Sequence, residues 1–215
     1  MAQHVGQIVG AGRAGLVRRG RLLEYLTVGW NSLEGLIAVG AGLAAGSIAL
    51  VGFGFDSVIE VTSGLALLWR LHMDAPERRE RAERTALKLV GWSFMLLGAY
   101  VAFDAVMSLV RREPPEASYL GIALAALSLV VMPLLARAKR RVAAGINSWA
   151  LQADSRQTDI CAYLSAILLG GLLLNALLGW WWADPVAALV MVPIIVKEGV
   201  GALRGETCCV EGACH

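Results

Sequence analysis

The chain has 215 residues, 57% of them hydrophobic, with a mean hydropathy of +0.62 and a formal charge of +2. This is too apolar for a soluble domain of that length, and the small positive excess sits at a few connections, which gives no case for nucleic-acid binding. A transmembrane helix needs about 20 apolar residues, and six such stretches use nearly the whole sequence, leaving no room for a folded soluble domain.

Residues 1–21 are Gly-rich and carry Arg13, Arg18, Arg19 and Arg21, without the continuous apolar core of a signal peptide, so a flexible basic arm is expected. Span one is read over Leu22–Ala45, and Ala45-Gly46-Ser47 turns it tightly into span two, Ile48–Met73. A charged linker follows, with Pro76 as a helix start, and then span three, Thr85–Val110. Glu113-Pro114-Pro115-Glu116 is a turn leading to span four, Ser118–Ala136. Span five, Ser148–Leu178, and span six, Trp181–Leu203, complete a transport domain over 22–203, with a Cys-rich tail over 204–215.

Pro133 and Pro193 fall within spans, where kinks are tolerated, and Gly35, Gly42, Gly52 and Gly54 predict close helix packing. Trp180, Trp181 and Trp182 mark an outer interface. Arginines and lysines crowd the arm, the second connection (Arg70 to Lys88) and the fourth (Arg137, Lys139, Arg140, Arg141). The positive-inside rule then places both termini in the cytoplasm. The expected class is an all-α polytopic protein of six spans in the inner cell membrane.

Span two holds the most informative pair. Asp56 and Glu60 lie four residues apart within Gly46–Glu60, an otherwise apolar run. An ionised carboxylate inside a membrane costs a few kcal/mol or more and is usually functional. The spacing puts both on one helix face, where they can grip a single cation. In span five, Asp154, Gln157 and Cys161 return to one face at helical spacing. With opposed span directions, Gln157 and Cys161 sit at a depth comparable with the span-two acids, and Asp154 about one turn nearer the cytosol, as a further ligand or a gate. Asn31 and Glu34 on span one are accessory polar candidates.

Blander readings stand beside these. The acid pair can be structural, although no basic residue is evident at mid-span and Arg156 is the nearest, beside Asp154 and Asp159. Cys161 alone reads as a small buried residue, and Gln157 as an interhelical hydrogen-bonder. Cys208, Cys209, Cys214 and His215 can chelate a soft ion, serve as palmitoylation sites, or do nothing. A membrane-anchored metal-binding or metal-sensing protein acting through that tail is thus the alternative to a transporter. An intramembrane redox enzyme is disfavoured, because no Cys-x-x-Cys motif occurs and the one histidine within a span, His72, lies at its very end.

These segments resemble the cation diffusion facilitator family, six-span exporters of zinc and related divalent metals. Its span two carries a His or Asp and then an Asp four residues later, after a Gly-Ser turn, matching Asp56 and Glu60 after Gly46-Ser47. Its span five runs approximately Ala-Asp-Ala-Leu-His, then Asp and Ser, so Ala153-Asp154 and Ser165 align while Gln157 replaces the His and Cys161 the Asp. Asp184-Pro185-Val186-Ala187-Ala188 is similar to its opening of span six. The likeness covers about 31–203 and is greatest to a short branch without the ferredoxin-like cytosolic domain. It implies a homodimer that exports a divalent ion, with the metal as cargo and no permanent cofactor.

Two carboxylates alone suit hard ions, and a thiolate shifts the preference towards zinc or cadmium, with manganese, iron and cobalt as further candidates. Binding deprotonates Cys161 and at least one acid, and outward reprotonation expels the ion. This is a minimal proton/metal antiport in the lipid bilayer.

Overall fold

The computed structural model describes residues 2–72, 76–146 and 149–204. They form six helices: α1 (Ala2–Ala45), α2 (Ile48–His72), α3 (Pro76–Arg111), α4 (Tyr119–Ile146), α5 (Trp149–Leu178) and α6 (Ala183–Arg204), with no strand among the described residues. Five of them, α2 to α6, contain segments long and apolar enough to cross a membrane. The polar residues Asn31, Ser32 and Glu34 interrupt the apolar run of α1.

Exposure is inverted relative to a water-soluble protein. Leu36 is 77% exposed and Val110 72%, whereas Glu34 is 1% exposed and Lys139 0%. Apolar side chains face outward because lipid accepts them, and ionisable ones turn inward where partners await. The closest pairs are α1 with α2, α4 with α5 and α3 with α6, and α2 also touches α3, α5 and α6. That helix is therefore central, and its carboxylates lie where several helices can reach them.

Short connections set the geometry of one end. Gly46 adopts φ of 66°, and Ser47 N donates to Gly42 O at 2.9 Å, closing the hairpin between α1 and α2. Only glycine takes that left-handed backbone without penalty. Glu116 N donates to Ala45 O at 2.8 Å, and Asn175 Nδ2 donates to Pro115 O at 3.1 Å, so three connections meet there. Trp180 and Trp182 stack at the same end, with ring centroids 5.1 Å apart. Pro133 and Pro193 lie inside α4 and α6, and Pro76 opens α3, all as expected.

Two expectations are corrected. The stretch read as an arm over 1–21 is helical from Ala2 and continuous with α1. Helix α4 does not stop at Ala136 but runs to Ile146, which carries Lys139 from an assumed connection into the packed interior. Its charge is accommodated there by carboxylates that the sequence alone did not place beside it.

Close approach of α1 and α2 depends on Gly54. A Cβ there would lie 2.8 Å from Val39 N and 2.7 Å from Val39 Cγ2. The first of those neighbours is backbone and cannot rotate away. Gly54→Ala is expected to destabilise the folded bundle by about 1–3 kcal/mol, seen as a lower thermal midpoint in detergent; an unchanged midpoint would show that the hairpin yields.

Candidate metal centre

Two helices, α1 and α5, lay stripes of buried polar groups against α2. On α1, Glu24, Thr27, Asn31 and Glu34 recur at intervals of three and four and are all buried. That spacing lays them along one inward stripe, while Leu22, Leu26, Leu33 and Leu36 face outward. On α5, Asp154, Thr158, Cys161 and Ser165 form a second buried stripe with the same periodicity. Asp56, Ser57 and Glu60 of α2 lie between them, 5%, 0% and 2% exposed.

The contacts define two levels. At the first, Ser57 Oγ donates to Glu34 Oε2 at 3.0 Å, and Cys161 Sγ lies 4.0 Å from the same oxygen. Asp56 is within electrostatic range of Glu60, Glu34 and Glu198 of α6. Cys161 is likewise close to Glu60, Glu34 and Asp56. Carboxylates thus converge on Asp56 without a basic partner for it among the described residues. At the second level, Thr158 Oγ1 donates to Glu60 Oε1 at 3.0 Å. Lys139 Nζ lies 2.5 Å from Asp154 Oδ2, 3.3 Å from Glu24 Oε2 and 3.4 Å from Thr158 Oγ1.

Several buried atoms have no hydrogen-bond partner among the described residues: Glu34 Oε1, Glu60 Oε2, Asn31 Oδ1 and Nδ2, and Gln157 Nε2. Buried polar atoms are nearly always paired, and each exception asks for a ligand, water or ion. Oxygen atoms from Glu34, Glu60 and Asn31 can serve a cation. Among the described residues, no three His, Cys, Asp or Glu side chains are already gathered closely enough to hold a metal ion. The donors ring the centre without closing on it.

The sequence-derived candidates are distributed as follows. Asp56, Glu60 and Cys161 come to one centre, and Glu34 joins them from α1. Gln157 is half-buried beside Thr158, one position off the buried α5 stripe. Asp154 bonds to Lys139, and Asp159 to Arg140, so neither uses Arg156, which is exposed. Cys208, Cys209, Cys214 and His215 lie outside the described residues.

Thr158, Glu24 and Lys139 were missed in the sequence reading. The first two were legible as members of the buried stripes; Lys139 was hidden among the neighbouring basic residues. A further group holds the frame from a distance. Asp184 of α6, fully buried, accepts from Ser47 Oγ at 2.5 Å and from Ile48 N at 3.0 Å, at the start of α2.

Residues 27–206 match the cation efflux transmembrane domain family. The chain is 28% identical over 198 residues to an uncharacterized transporter of Synechocystis sp., covering 87% of this chain and 63% of that protein. It is 30% identical over 110 residues to the cation-efflux pump FieF of Shewanella oneidensis, covering 51% of this chain and 35% of the pump. An uncharacterized transporter of Methanocaldococcus jannaschii is 26% identical over 179 residues, 80% of this chain and 63% of that protein. The chain spans less than two thirds of the length of each of these relatives. With five helices able to cross a membrane and a family match over most of its length, the chain is a multi-pass membrane protein belonging to the cation efflux family.

Proposed function

We propose that this protein exports a divalent metal ion, zinc or a similarly thiophilic ion, from the cytoplasm in exchange for protons. One observation carries the reading: Asp56 and Glu60, one turn apart on the central helix, are buried facing Cys161, and Oε2 of Glu60 meets no geometrically well-formed hydrogen bond among the described residues. A carboxylate pair with a thiol suits zinc and cadmium better than hard ions. Asn31 and Glu34 complete the donor ring from α1, Gln157 offers a carbonyl oxygen, and Asp154 is a more remote donor already engaged by Lys139. Carboxylate and thiol rotation onto the ion is the closing step, and reprotonation of the same groups opens the site to release it.

The transport domain is assigned to residues 22–203, with α1 as a sixth span. Its leucines face outward and its carboxylates inward, as lipid on one side and partners on the other require. The exposed Arg18, Arg19, Arg137 and Arg141 belong to the end opposite the tryptophans, which supports cytoplasmic termini in the inner membrane. The working unit is proposed as a homodimer, on family resemblance.

Metal-driven proton flux in proteoliposomes, compared across Zn, Cd, Mn, Fe and Co, tests the assignment. Zn and Cd are expected to drive the largest flux. Cys161→Ala is expected to reduce the zinc and cadmium signals by roughly tenfold or more while affecting manganese less, because the soft donor is gone. Gln157→His, which adds a proton-carrying ligand, is expected to raise the protons moved per ion. Absence of proton movement with every metal would overturn the antiport.

A further inference from the structure

The two α2 carboxylates are one turn apart but electrostatically unequal. Asp56 is surrounded by carboxylates, whereas Glu60 has a lysine behind it. Lys139 of α4 has no exposed surface, and three oxygens from Glu24, Asp154 and Thr158 surround its Nζ. The hydroxyl of Thr158 stands between the ammonium and Glu60: it accepts from Lys139 Nζ at 3.4 Å and donates to Glu60 Oε1 at 3.0 Å. Those two steps put Nζ within roughly 6 Å of Glu60, where the effect of the ammonium on Glu60 exceeds the opposing effect of the Asp154 carboxylate paired with it.

A fixed ammonium at that distance does two opposed things. Through Thr158 it orients Glu60, which favours binding. It also repels any divalent ion arriving at Glu60, which disfavours binding, and this effect doubles with the ion's charge. Thr158 can also donate to Asp154 O, 3.2 Å away within its own helix, so its placement does not depend on Lys139 alone. Thr158 is held in place by its own helix, so what Lys139 adds at Glu60 is chiefly its charge.

We propose that Lys139 is a tethered cation that competes with the transported ion for the charge of Glu60, holding the site weak enough to release its cargo. It is a positioning residue, and the inference rests on Glu60 belonging to the transport site. An exporter needs such a device because binding that is uniformly too tight lowers KM and traps the ion.

Saturation curves for zinc flux in proteoliposomes decide it, using the full chain. Wild type and Glu60→Gln test the underlying reading by themselves: saturable flux in the first and its loss in the second support that reading, and wild-type flux in Glu60→Gln overturns both. With the reading intact, Lys139→Met is expected to lower the apparent KM for zinc about fivefold and to lower the maximal rate with it, the signature of lost strain against the bound ion. Lys139→Arg, which keeps the charge, is expected to stay near wild type in KM. A KM that rises or stays the same in Lys139→Met overturns the inference while leaving Glu60 in place. Should Lys139→Met fail to fold, Lys139→Met/Glu24→Gln removes one charge of each sign. Replacing a buried pair together is often tolerated, and the same KM criterion applies.

Discussion

Asp56→Asn and Glu60→Gln are each expected to abolish zinc transport, by more than about a hundredfold, while leaving the protein at least as stable as the wild type. The combination follows from the surroundings of the two residues. Both substitutions keep side-chain volume, so no cavity forms. Thr158 Oγ1 can still donate to the amide oxygen that replaces Glu60 Oε1. What disappears is negative charge in a place where charge is expensive to bury.

The two variants should differ in degree. Asp56 feels Glu60, Glu34 and Glu198, all of like sign, so Asp56→Asn relieves repulsion. Glu60 has Lys139 nearby as partial compensation, so Glu60→Gln gains less. Thermal midpoints measured on the same samples as the flux would read Asp56→Asn above Glu60→Gln, and Glu60→Gln at or above wild type. A residue kept for packing behaves the opposite way, losing stability with or without activity. Retained transport in either variant would remove these carboxylates from the site, and a lower midpoint would make their role structural. Gain of stability on loss of function is the mark of a strained working site.

The fold was legible because lipid imposes one strong rule, an apolar run of about 20 residues per crossing. Helices α2, α5 and α6 begin and end within a few residues of the positions that rule gives. It failed where charge enters a helix. Helix α4 was expected to stop at Ala136 because Arg137, Lys139, Arg140 and Arg141 follow. Three of these side chains do reach outward or pair at the rim, but Lys139 points into the bundle and meets Glu24 and Asp154. Glu24 is 115 residues away on α1, and Asp154, 15 residues away, lies beyond the turn into α5. No local pattern announces that a lysine among arginines will be the one to turn inward.

The candidate metal centre was partly legible for a similar reason. Four-residue spacing fixes Asp56 and Glu60 to one face without any knowledge of neighbours. The α5 face was read from Asp154, Gln157 and Cys161, yet the buried stripe is Asp154, Thr158, Cys161 and Ser165. Both sets obey helical spacing, and they differ by a small rotation of the helix. As a metal ligand, Gln157 is the stronger candidate of the two by side-chain chemistry. Packing against α2 selected Thr158, whose short hydroxyl reaches Glu60.

Asp184→Ala is expected to be the most destabilising substitution outside the centre, at about 3 kcal/mol. The start of α2 must satisfy backbone N–H groups that have no partner within the helix. Ser47 acts as its cap: its Oγ accepts from Leu50 N at 3.2 Å. Asp184 reaches from α6 to complete the task, accepting from Ile48 N at 3.0 Å, Ala49 N at 3.4 Å and Ser47 Oγ at 2.5 Å. A carboxylate is the right group there because the helix terminus is the positive end of the peptide dipoles. Alanine would leave those donors buried and unpaired, and would unfasten α6 from the helix that carries Asp56 and Glu60. Ser118 offers an internal comparison. It caps α4 through its Oγ, which accepts from Gly121 N at 3.1 Å, so Ser118→Ala loses a single neutral cap at about 1 kcal/mol. Denaturation measured side by side should therefore separate the two by about 2 kcal/mol, with Asp184→Asn between them because one acceptor oxygen survives. If Asp184→Ala and Ser118→Ala unfold alike, the α6 carboxylate is not what anchors the start of the central helix.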